Sequence, residues 1–184
     1  IFESIVKQLN EHSEQVSRNT ESLIPYLAEA AHLAAHTILQ DKKILTLASN
    51  HCQAINLQFC LNLLGEMNLE RPSLPVINLA THHQHDDSYA KHIQALAAQD
   101  DLLVIFSDGG DESYLAKAIE AAKACNMQLI LLSAQKDQLH KLLNDDMVSI
   151  FFPQTDTHQI ISLQFIITQL LSELIEQQLF SGLS

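Results

Sequence analysis

His51 and Cys52 stand side by side in the stretch LASNHC, an imidazole next to a thiol, and Asp108, Asp111 and Glu112 surround the glycine pair Gly109 and Gly110 in SDGGDE. A thiol at a helix N-terminus next to a proton acceptor can become a nucleophilic thiolate, because the helix dipole and a nearby cation both lower its pKa. No general acid lies close by in sequence, so Cys52 is read here as a packing residue. A third stretch, His82, His83, His85, Asp86 and Asp87, offers the imidazole and carboxylate groups that hold zinc or nickel. Ligands adjacent on one loop seldom converge on one ion, so this run is read as solvated loop and no metal is assigned. Cys52, Cys60 and Cys125 are odd in number and lack CxxC spacing, which argues against a disulfide framework or a thiolate zinc site and for reduced thiols.

Such groups need a scaffold, and the hydrophobic pattern specifies one. From Glu3 to Gln40 the apolar residues (Ile5, Val6, Leu9, then Leu23, Leu27, Ala31, Ala34 and Ile38) recur at helical spacing, which predicts a helical hairpin over residues 1–40. Five short runs rich in β-branched and aliphatic residues follow: KILTLA, LPVINLA, DLLVIFS, MQLILLS and DMVSIFF. Near-continuous runs of this kind suit strands covered on both faces. Helix-length segments separate them: His51 to Met67, Ser88 to Ala98, Glu112 to Cys125 and Ala134 to Leu143. The alternation predicts an α/β fold over residues 41–153, a doubly wound five-stranded parallel sheet of flavodoxin-like type with flanking helices. Residues 154–184 carry a C-terminal helix, His158 to Phe180, that is apolar almost all round. A sheet covers one side of such a helix, so the other is expected at a subunit interface, with Ile167 placed on it. The length of 184 residues suits one domain spanning residues 1–184.

The charge narrows the classes of partner. With 22 acidic against 10 basic residues, the net charge of −12 repels a phosphodiester backbone, and direct nucleic-acid binding is not expected. No apolar run reaches the roughly 18 residues of a membrane span, and the first residues lack a leader pattern. The chain reads as soluble and cytoplasmic, with no membrane partner.

In an open parallel sheet, ligands bind beyond the carboxyl ends of the strands, where loops enter helix N-termini. Here those loops read LASNHCQAINLQF and FSDGGDESYLAKAIEAAKA; with ERPSLPVINLAT, YAKHIQAL and QLLSELIEQQLF they resemble the SIS (sugar isomerase) domain family. The resemblance spans essentially the whole chain. It is strongest to the branch of phosphoheptose isomerases and DnaA initiator-associating (DiaA) proteins. In the isomerases of that branch the loops read like CGNGGS and STSGNS, and glycine backbone and hydroxyl groups cradle a sugar phosphate. This chain has Ala48, Ser49, Asn50, His51 and Cys52 in the first loop; the third keeps Ser107 and Gly110 but adds Asp108, Asp111 and Glu112. A carboxylate about 4 Å from a phosphate charge costs roughly 4 kcal/mol at an effective dielectric of about 20.

The resemblance also implies four acid, base and metal positions: a His and a Glu on the helix after the first loop, and a Gln and a His on the last helix, often around zinc. They fall here on Gln58, Asn62, Ile161 and Gln169. Amides neither take nor give a proton usefully near neutral pH and are poor zinc ligands. The implied function is therefore a non-catalytic binding or adaptor module, without cofactor, forming a homodimer or homotetramer. Leu179 and Phe180 resemble the ending that the DiaA branch uses to dock the replication initiator DnaA. Two alternatives stay open: a phosphoheptose isomerase, converting sedoheptulose 7-phosphate, with a relocated site, and a sensor of a neutral or cationic small molecule drawn to the acidic third loop.

Overall fold

The computed structural model describes residues 1–65, 67–79, 87–110, 113–134, 139–152 and 156–180, with the backbone alone at 12, 13 and 15–20. Helix α1 (Phe2–Leu39) leads into strand β1 (Ile44–Ala48), a short 3-10 turn (Asn50–Cys52) and helix α2 (Gln53–Leu64). Then follow β2 (Val76–Asn78), α3 (Ser88–Leu96), β3 (Leu102–Phe106), α4 (Ser113–Ala124), β4 (Gln128–Ser133), β5 (Val148–Phe151) and α5 (Thr157–Phe180). The five strands form one parallel sheet in the order β2-β1-β3-β4-β5, as the apolar runs predict.

Alternation along the strands feeds two cores, because successive side chains point to opposite faces. Ile44, Leu102, Val104, Phe106, Ile130 and Leu132 face α1, α2 and α5. Leu45, Leu47, Leu103, Ile105, Leu129 and Leu131 face α3 and α4. All five residues of β1 and of β3 are buried, which explains why their sequences show no polar face. Strands β1 and β3 lead into the first and third loops, on which the sequence places its candidate site residues.

The expected helical hairpin over 1–40 is instead the single 38-residue helix α1. No glycine or proline lies between Leu9 and Leu23, so no helix breaker interrupts the largely polar segment there. Pro25 sits inside the helix and removes one backbone donor without ending it. The second half, through Leu23, Leu27, Ala30, Ala31 and Ala34, packs on the first core, the alanines allowing close approach to α5. Of the helix expected from Ala134 to Leu143, the described residues retain a 3-10 turn at His140–Leu142. Ile167 also differs from expectation, for it is 2% exposed and faces the chain's own core.

Candidate functional site

Parallel pairing of β1 with β3 sets Ala48 opposite Phe106, so Ser49 and Ser107 leave the sheet side by side. The Ser49 N–H donates to Phe106 O at 2.8 Å, and the Ser107 N–H to Leu132 O at 2.8 Å. From there the first loop turns through Asn50, His51 and Cys52 into α2, and the third runs through Asp108, Gly109 and Gly110 towards α4. Gly109 has φ 85°, a left-handed conformation that favours glycine, and its N–H donates to Ser107 Oγ at 3.0 Å. Across the gap between the loops, His51 Nδ1 and Asp108 Oδ2 are 2.5 Å apart. His51 is largely exposed, Asn50 is exposed and Asp108 is mostly covered. Asp111 and Glu112 lie outside the described residues, as do His82, His83, His85 and Asp86. Asp87 bonds Lys91 on the next helical turn at 2.8 Å. No group of three His, Cys, Asp or Glu among the described residues is arranged to hold a metal ion.

Cys52 is fully buried, and its thiol donates to Gln164 Oε1 at 3.3 Å. Gln164, on α5, donates in turn through Nε2 to Ser107 O at 2.6 Å. One buried amide therefore ties the first loop to the third, and Cys52 is held inside rather than offered to solvent. Nearby, Ser49 Oγ is buried with no hydrogen-bond partner among the described residues. Gln53 and Tyr89 both donate to Ala48 O, at 2.8 and 3.2 Å, which closes the carboxyl end of β1.

Gln58, Asn62 and Gln169 come together between α2 and α5. Gln58 Nε2 donates to Asn62 Oδ1 at 2.8 Å, and Asn62 Nδ2 donates to Gln169 Oε1 at 3.1 Å and to Ser172 Oγ at 3.2 Å. Both N–H bonds of Asn62 and its carbonyl are thereby engaged within the chain. Ile161, the fourth position, lies about two turns earlier on α5, half-buried against the first core.

The family model of the SIS domain matches residues 7–134. The chain belongs to the SIS domain family. It is 31% identical over 172 residues to the DnaA initiator-associating protein DiaA of Citrobacter koseri, covering 87% of each chain. It is 30% identical over 189 residues to the phosphoheptose isomerase of Methylococcus capsulatus, covering 97% of each. Its fold matches a phosphoheptose isomerase structure from Francisella tularensis with a TM-score of 0.88 at 24% identity, over 96% of this chain and 98% of that one. The two kinds of relative stand at nearly equal identity, so the distinction between them rests on the site. A SIS domain with amides at Gln58, Asn62 and Gln169 and an alkyl group at Ile161 does not supply the imidazole and carboxylate donors that zinc requires.

In this SIS domain a buried ion pair, which sequence reasoning missed, fixes α2 against α5. Arg71 Nε and Glu176 Oε1 are 2.7 Å apart, with both side chains 1% exposed. Arg71 also donates to Leu63 O, Pro72 O and Asn62 O, while Glu176 accepts the Asn68 N–H at 3.0 Å. Burial alone would raise the Glu176 carboxyl, but Arg71 and the backbone donors outweigh it and hold its pKa below the usual value. Phe180 lies under the Arg71 guanidinium, 5.9 Å from the ring centre. Leu179 and Phe180 are half-buried and pack against the first core, so each keeps part of its surface outward. No helix among the described residues is long and apolar enough to cross a membrane.

Proposed function

We propose that this chain is a cytoplasmic SIS-domain binding module without isomerase activity or cofactor, which self-associates and docks the replication initiator DnaA. The observation that carries this reading is the closed amide ladder: Gln58, Asn62 and Gln169 satisfy one another where the isomerase branch places its acid, base and metal ligands. Aldose to ketose conversion needs a base to take a proton beside a carbonyl and an acid to support the enediol oxygen, and amides do neither. At the loops, Asp108 occupies a phosphate-cradle position of the family and would repel the anion. The partner is suggested by the DiaA relatives and by the ending Leu179 and Phe180. One observation favours the competing isomerase reading: His51 Nδ1 is held by Asp108, an arrangement able to accept a proton at the other ring nitrogen.

Docking is tested with the double variant Leu179→Ala, Phe180→Ala. Both side chains are half-buried, so its melting temperature should fall somewhat; capture of DnaA is therefore measured well below that temperature, with folding checked by circular dichroism. Loss of a hot-spot pair should weaken binding by about 30-fold or more, corresponding to roughly 2 kcal/mol. A folded variant that captures DnaA as well as wild type would return both residues to packing alone.

A further inference from the structure

A cavity of about 500 Å³, within the size range of small-molecule sites, opens between the last turns of α1 and the amino ends of β4 and β5. Ser49 and Ser107 follow the carboxyl ends of β1 and β3, so the length of the strands separates this cavity from the loops of the candidate site. Its apolar lining is continuous with the first core, to which Val148 belongs and against which Leu33 packs. Its charged lining comes from three separate elements: Glu29 from α1, Asp100 from the turn before β3 and Asp146 from the turn before β5. All three residues are exposed, and none has an ion-pair partner among the described residues.

The lining selects a class of ligand. Lys42 is its one ammonium, so three carboxylates against one cation leave two negative charges in excess while the histidines are neutral. A concave surface of one sign focuses its field and concentrates counter-ions, and it repels a phosphate. His32 and His36, on successive turns of α1 with ring centres 6.4 Å apart, add nitrogen acceptors, and Gln128 adds an amide oxygen. A single metal ion does not answer this arrangement, since no three His, Cys, Asp or Glu among the described residues converge on one point. A flexible chain of ammonium groups joined by methylenes does. Each ammonium donates charge-assisted hydrogen bonds to a carboxylate on a different element, and the methylenes cover Leu33 and Val148.

We propose that this cavity binds an aliphatic polyamine, at a site separate from the family's sugar-phosphate loops. The bound molecule bridges α1 to the turns before β3 and β5, so it stabilises the folded chain.

Spermidine titrated calorimetrically into the full chain should bind saturably at one site per chain. Physiological salt is used, so that the general attraction of a net −12 chain for polycations is screened. The shorter diamine putrescine should bind more weakly. Glu29→Gln and Asp146→Asn, both at exposed positions, should each weaken spermidine binding about tenfold, the usual effect of losing one charge-assisted hydrogen bond. Glu70→Gln removes the same charge beside β2, at the far edge of the sheet, and should leave the affinity at the wild-type value. Absence of saturable binding to folded wild type would overturn the proposal. So would an affinity that Glu29→Gln and Asp146→Asn leave unchanged, or that Glu70→Gln lowers as much as they do.

Discussion

Replacing Glu176 by alanine should destabilise the fold by about 3–5 kcal/mol, the usual consequence of stranding one charge of a buried pair. Arg71 would keep its positive charge at 1% exposure, with backbone carbonyls but no carboxylate to balance it. For a chain of this size the melting temperature should drop by roughly 10 °C, and calorimetry would read it. Acid should mimic the substitution in wild type. A carboxyl whose folded pKa is depressed contributes stability above its unfolded value, about 4.3, and loses it as pH falls through the folded pKa. Asp101 adds to the same trend: burial opposes its charge, but Lys43 and the Ala98 N–H bind it and lower its pKa. Stability should therefore fall steeply below about pH 4.3, less so in Glu176→Ala. A variant melting with wild type would mean that α2 and α5 hold together without the pair.

The second large effect is on rate. Purified protein with sedoheptulose 7-phosphate and zinc should show no turnover above background. Loss of a general acid or base costs about 10²- to 10⁴-fold each, and here both positions are amides. The product of the two losses is on the order of 10⁴-fold or more, enough to bring an ordinary enzyme to the limit of detection. Turnover at an ordinary rate would instead place the chemistry at His51 and Asp108, and His51→Gln should then abolish it.

Much of the fold was legible because strands buried on both faces leave apolar runs that little else produces, as with ILTLA and LLVIF. The start of the chain was less so: the largely polar stretch between Leu9 and Leu23 resembles a break, although the helix runs through it. On α5, apolar residues all round the helix left no periodicity by which to choose Phe165, Ile166 and Leu170 over Ile167 as the outward set. In the site, Gln58, Asn62 and Gln169 were found through family resemblance, and the structure brings them together. Gln164 and the Arg71–Glu176 pair were missed because their partners lie far away in sequence, which local spacing does not encode. The signal available was a polar residue inside an apolar helix, Gln164 in SLQFII. Such a residue at full burial needs a partner, and here it has Ser107 O.

The most direct test of the central claim is a calorimetric titration of purified DnaA from the same cell into the assembled protein. A binding module predicts a saturable isotherm that persists in His51→Gln, since no proton transfer is involved, and that Leu179→Ala with Phe180→Ala strongly weakens. Absence of any heat of binding from folded, assembled wild-type protein would contradict it.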